Sequence, residues 1–184
     1  MGAFRPSPTL ERPGPKRDFE RDFNRVQNPE KFPPSSGPAA TGPADGAERL
    51  VLGVAAWRDL VAHCRREAPN EACGVLGGQL FAGGQRAELS VPVVNVLADP
   101  RRYRMDPRGL MAAFDRIEAA GLEEVAYFHS HPASAPIPSK TDIAEARIGT
   151  VRMLIVSLED PQNPSAGFYL LGDGGARTGR LEIE

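Results

Sequence analysis

Beyond residue 47 the chain alternates between short apolar runs and amphipathic stretches, and each predicts one element. Leu50-Val51-Leu52-Gly53-Val54 predicts a first strand. From Ala56 to Glu67 the spacing predicts a helix with Trp57, Leu60, Val61 and Cys64 on one face and Arg58, Arg65 and Arg66 outward. Pro69-Asn70 ends it. Cys73 to Phe81 and Ala87 to Val94 read as strands joined by Ala82-Gly83-Gly84-Gln85, a hairpin signature. Pro107 suits a first helical turn, Leu110, Met111, Phe114 and Ile117 form the stripe behind it, and Gly121 is the stop. Val125-Ala126-Tyr127-Phe128 predicts a short buried strand that runs directly into His129-Ser130-His131. A third helix is expected over Ser139 to Ile148 and a strand over Val151 to Leu158, with late strands at Gly167 to Leu171 and Arg180 to Ile183. Helices interspersed with strands predict an α/β layer fold, and no internal repeat is visible.

The first 47 residues break this pattern. Nine of the 18 prolines fall there, at positions 6, 8, 13, 15, 29, 33, 34, 38 and 43, and would interrupt any long element. The expected organisation is therefore a disordered Pro/Gly-rich tail over 1–47 and one domain over 48–184. Within the tail, Phe19, Phe23 and Val26 share one face of a two-turn helix, either a docking motif or a marginal helix with no function. The domain carries 15 basic and 18 acidic residues, which argues against a nucleic-acid partner. No apolar run approaches the roughly 18 residues of a membrane span, and the N-terminus lacks a signal-peptide core. A soluble cytoplasmic protein with no membrane partner is expected. Cys64 and Cys73 are too few for a disulfide framework, and Cys73 reads as a small core residue.

Candidate chemistry gathers at His129 and His131, two of only three histidines. Side chains at i and i+2 leaving a strand project to the same side, so the two imidazoles can share a divalent metal. A chain reversal through Pro132, Pro136 and Pro138 would return Asp142 toward them. Two histidines and one aspartate leave a fourth position open, as in a catalytic site. The pair Ser139 and Asp142 also fits a helix capping box, a role compatible with metal binding. A lone His-x-His can equally be a surface pair, and His63 reads as helix surface.

The segment from His129-Ser130-His131-Pro132 through Ser139 to Asp142 resembles the signature of the JAMM (MPN-plus) metalloprotease family. Pro69-Asn70-Glu71-Ala72-Cys73-Gly74-Val75-Leu76-Gly77-Gly78 is similar to that family's glutamate-bearing motif. Val93-Val94-Asn95 and Arg102-Tyr103-Arg104-Met105-Asp106-Pro107 resemble compact bacterial members. The resemblance spans 48–184 and implies a single MPN domain of cytidine-deaminase-like fold, a mixed β-sheet flanked by helices. It implies one catalytic Zn²⁺ held by His129, His131 and Asp142, with Glu71 as general base and acid and Ser139 steadying the oxyanion. It also implies hydrolysis of the amide or isopeptide bond after the C-terminal Gly-Gly of a ubiquitin-like protein. The short spacings from Asp99 to Arg101 and from Pro132 to Ser139 leave little room for the substrate-gripping insertions of eukaryotic relatives. The expected substrate is therefore an adduct of a sulfur-carrier protein, as for a cysteine-releasing peptidase. The alternatives are a deubiquitinase-like isopeptidase on protein conjugates, a non-catalytic MPN scaffold, and a relative of DNA-repair-associated proteins that share a His-x-His-Pro segment.

Overall fold

The computed structural model describes residues 48–146, 150–172 and 174–184, so the expected tail and its Phe19, Phe23 and Val26 pattern lie outside it. The elements in chain order are β1 (Arg49–Leu52), α1 (Val54–Glu67), β2 (Cys73–Phe81), β3 (Gly84–Val93), α2 (Pro107–Ala119), β4 (Glu123–His131), α3 (Lys140–Glu145), β5 (Val151–Ser157), β6 (Ser165–Gly172), β7 (Gly175–Thr178) and β8 (Arg180–Ile183). Among the described residues no helix is long and apolar enough to cross a membrane.

The strands form one mixed sheet in the order β7-β6-β5-β4-β2-β3-β1-β8. β4 is central, antiparallel to β2 and parallel to β5. Along β5, Leu154 and Val156 join the core under α1, while Met153 and Ile155 face the opposite side. Burial on both faces is why this strand reads as an unbroken apolar run. The α2 stripe of Leu110, Ala113, Phe114 and Ile117 packs with Val75, Val91 and Val93 in a second cluster. Gly121, at φ 70°, ends α2, with Gly121 N–H donating to Glu118 O and Leu122 N–H to Ile117 O. This is the glycine-terminated motif that satisfies the last carbonyls of a helix.

β7 and β8 lie at opposite ends of the sheet order yet only Gly179 separates them. One residue spans about 3.8 Å, so the sheet must curl until its two ends nearly meet. Gly179 N–H bonds to Phe168 O of β6, and Arg180 N–H to Glu48 O beside β1. A Cβ on Gly179 would lie 2.4 Å from the Phe168 ring, so the close approach requires glycine.

Several expectations need correcting. Val54 opens α1 instead of ending β1, because Gly53 is extended and serves as the helix N-cap. The hairpin turn is only Ala82-Gly83, with Gly83 at φ 90°, and β3 starts at Gly84. α3 is capped by Ser139 and ends at Glu145, while residues 147 and 148 of the expected helix lie outside the described residues. β7 (Gly175–Thr178) is an additional strand, antiparallel to β6, that the apolar pattern does not predict. β4 continues through both histidines instead of stopping at Phe128, because His129 pairs with Ile155 and His131 with Ser157 of β5.

That extension positions the chemistry. Beyond the start of β2, Ser130 N–H donates to Ala72 O at 2.9 Å and Ala72 N–H donates to Ser130 Oγ at 2.8 Å. Ser130 is fully buried, so Ser130→Ala would leave the Ala72 N–H without its partner. Such an orphan costs about 1–3 kcal/mol. Urea unfolding should show that loss for Ser130→Ala, and an unchanged midpoint would refute this account of the link.

Candidate metal centre

β4 delivers His129 and His131 to one side of its carboxyl end, and the loop that follows returns the chain so that Asp142 sits in the first turn of α3. Ser139 and Asp142 form a reciprocal capping box: Ser139 Oγ accepts from Asp142 N–H at 3.2 Å, and Asp142 Oδ2 accepts from Ser139 N–H at 2.6 Å. The cap fixes the carboxylate beside the histidines, with Asp142 Oδ1 at 3.3 Å from His129 Nε2 and Oδ2 at 3.7 Å from His131 Nε2. The two Nε2 atoms lie 3.1 Å apart.

The donor set fits a small divalent metal. His131 Nδ1 lies 2.9 Å from Ala135 O, and because a carbonyl only accepts, that nitrogen carries the proton. His129 Nδ1 lies 3.3 Å from the Met153 sulfur, a weak acceptor. These partners turn both Nε2 lone pairs inward, the outer support that metal-bound histidines ordinarily have. Ligand–metal bonds of about 2.0–2.1 Å at tetrahedral angles place ligand atoms roughly 3.3 Å apart, close to the spacings here. Among the described residues this is the cluster whose His and carboxylate donor atoms all lie within 4.8 Å of one another.

Burial and charge set the protonation states. Burial lowers the pKa of His129, which favours the neutral ring a metal needs. For His131 burial pushes down, but its hydrogen bonds to Asp142 and Ala135 win and raise it. Burial would raise Asp142, yet the hydrogen bonds to His129 and His131 hold it well below the usual carboxylate range. Glu71 is only 4 % exposed and burial lifts its carboxyl to about 7, with the His131 charge opposing the rise. A carboxyl near neutrality can both accept and return a proton.

Glu71, 58 residues before His129 in sequence, reaches this neighbourhood through the Ala72–Ser130 link. Its backbone is held by Asp99, whose carbonyl accepts Glu71 N–H at 2.9 Å. The structure also brings in a residue to which sequence reasoning gave no role. Tyr103 stacks on the His129 ring at 4.7 Å between centroids and 22° between planes. Its sequence signal is its place in the Arg102–Pro107 segment that resembles compact bacterial members, which assigns it no role. Cys73 is in the core as expected, but His63 is not surface. It is 7 % exposed and meets Phe128 edge-on at 6.2 Å, because the curled sheet buries a face of α1 wider than the stripe from Trp57 to Cys64.

Comparison with known proteins identifies the family. Residues 53–169 match the family model described as prokaryotic homologs of the JAB domain. The chain is 36% identical over 125 residues to the CysO-cysteine peptidase of Mycobacterium tuberculosis, covering 68% of this chain and 84% of that protein. It is 40% identical over 101 residues to a desampylase of Haloferax volcanii, covering 52% of this chain and 71% of the relative. A solution structure of a Desulfitobacterium hafniense protein superposes with TM-score 0.69 at 31% identity, over 73% of this chain and 92% of that one. The chain therefore belongs to the prokaryotic JAB-domain family, the compact bacterial branch of the JAMM/MPN-plus peptidases.

Proposed function

We propose that this protein is a zinc-dependent peptidase that cleaves the amide or isopeptide bond after the C-terminal Gly-Gly of a ubiquitin-like or sulfur-carrier protein. The observation that carries the reading is the convergence of His129 Nε2, His131 Nε2 and Asp142 near a buried carboxyl lifted to about 7. The names of the relatives support the substrate class: a CysO-cysteine peptidase, desampylases and a probable TtuB-protein conjugate cleaving protease. The same names favour conjugate cleavage over the non-catalytic scaffold and the DNA-repair-associated reading.

His129, His131 and Asp142 would hold the zinc. Bound there, zinc supplies a Lewis acid that makes water nucleophilic near neutral pH and polarises a carbonyl. Glu71 accepts the proton of the attacking water and passes it to the leaving amine. Ser139 Oγ accepts from Asp142 N–H, which leaves its own proton available to a developing oxyanion. The substrate's two glycines carry no side chains and let the scissile backbone approach a recessed site closely.

Purified protein should retain stoichiometric zinc and release cysteine from a sulfur-carrier Gly-Gly–cysteine adduct. A Gly-Gly–lysine conjugate assayed alongside reports whether isopeptides are also cut. Glu71→Gln should lower kcat by about 10²–10⁴-fold while zinc stays bound. Full activity in Glu71→Gln would sink the mechanism, and no cleavage of either substrate by zinc-loaded protein would sink the substrate class. His131→Ala and Asp142→Asn should each lose zinc on dialysis at a chelator concentration that the parent protein withstands.

The metal-free protein offers a pH test of Glu71. Its folded pKa of about 7 lies above the 4.5 of the free side chain. Folding therefore carries a penalty that is absent at lower pH, grows as pH rises from 4.5, and is complete above 7. Glu71→Gln avoids it. The Tm advantage of Glu71→Gln over the parent should accordingly be larger at pH 8 than at pH 4.5, and an equal difference at both would contradict the burial account.

A further inference from the structure

We infer that Asn95 is a positioning residue that ties the backbone of Glu71 to the aromatic cover of His129. The inference rests on the catalytic reading of Glu71 given above and assigns a role to a residue outside the metal cluster.

Asn95 follows the end of β3, where the chain leaves the sheet and doubles back. Val96 N–H bonds to Arg104 O, Asp106 N–H bonds to Val94 O, and Asn95 bridges Met105, so 94–96 and 104–106 form a small antiparallel ribbon. Side chains alternate across it. Asn95, Tyr103 and Met105 turn inward, while Val94 is 69 % exposed and Arg102 and Arg104 are exposed.

All four bonding positions of the Asn95 carboxamide are used. Nδ2 donates to Glu71 O at 2.9 Å and to Arg102 O at 3.0 Å. Oδ1 accepts from Leu97 N–H at 3.1 Å and Arg104 N–H at 3.0 Å. Two carbonyls and two N–H groups as partners settle which end of the amide is nitrogen. Aspartate at this position would aim oxygens at two carbonyls, and leucine would leave four backbone groups unpaired.

The partners give the pattern its meaning. Asn95 and Asp99 together hold both backbone polar groups of Glu71, one the carbonyl and the other the N–H. Arg102 and Arg104, held by the same amide, flank Tyr103, whose ring lies on His129. One side chain thus joins the segment carrying the general base to the segment covering a metal ligand. Loss of its donors would let each move against the other.

The test uses Asn95→Asp, with Asn95→Ala as a second variant should the first not fold. In metal-free protein the histidine ring signals are followed by NMR, where three histidines make a simple spectrum. Stacking by Tyr103 should shift the His129 ring protons upfield, and Tyr103→Leu supplies the unstacked reference. Asn95→Asp should move the His129 signals toward that reference while His63 stays in place and reports an intact fold. With zinc restored, kcat should fall about 10–100-fold, the range typical of outer-shell partners, with little change in KM. His129 signals that stay put in a folded variant, or a rise in KM at unchanged kcat, would overturn the inference. The NMR arm needs neither zinc nor substrate, so its failure is distinct from failure of the proposed reaction.

Discussion

The link between Ala72 and Ser130 is the constraint on which the site depends. β4 projects past the start of β2: His129 still pairs with Cys73, and Ser130 and His131 lie beyond it. Without a partner there, the backbone of Ser130 and His131 would hang beyond the sheet on one side. Ser130 resolves this by using its side chain as well as its backbone, so Ala72 is bonded through both N–H and C=O. A geometric consequence follows at once. Glu71 is the residue before Ala72, so its backbone cannot drift from the histidines unless this junction breaks.

Burial and hydrogen bonding act differently on the charged groups of the candidate centre. Asp142 stays ionised because hydrogen bonds hold it so, whereas Glu71 is raised toward neutrality because burial dominates. Two neighbouring carboxyl groups thus have opposite electrostatic environments, the pattern by which one site can assign carboxyls different roles without any difference in side-chain chemistry. The histidines are treated unequally too. His129 is fully buried and tends to lose its proton, while His131, near Ala135 and the Asp142 carboxylate, tends to keep it.

What the sequence revealed about this site follows the range of the forces involved. His129, His131, Ser139 and Asp142 were legible because period-two spacing and a helix cap are local rules. Glu71 was legible only through family resemblance, since its approach to the histidines is made by a sheet pairing 58 residues long-range. Asn95 and Tyr103 fall in segments that resemble compact bacterial members, but nothing local assigns either a role, because each serves groups that become neighbours only after folding. The strand reading of β4 stopped at Phe128 because polar His-Ser-His ended the apolar run, although parallel pairing with β5 continues across it. His63 is buried against the surface expectation because a helix cradled by a curved sheet buries more of its circumference than one resting on a flat sheet. β7 carries only the four residues Gly175–Thr178, too few to show alternation.

The single residue between β7 and β8 has a further consequence. Because Gly179 leaves no slack, the register of β7 on β6 and that of β8 on β1 are one variable. A slip of either ladder must be transmitted to the other, and deleting Gly179 would set the two ladders in conflict. The seam therefore works as a length gauge for the whole ring of strands. It compares the path through the sheet with the path across the gap, and only one alignment satisfies both. Misaligned arrangements of the strands that carry the candidate metal centre are excluded by a seam at the edges of the sheet.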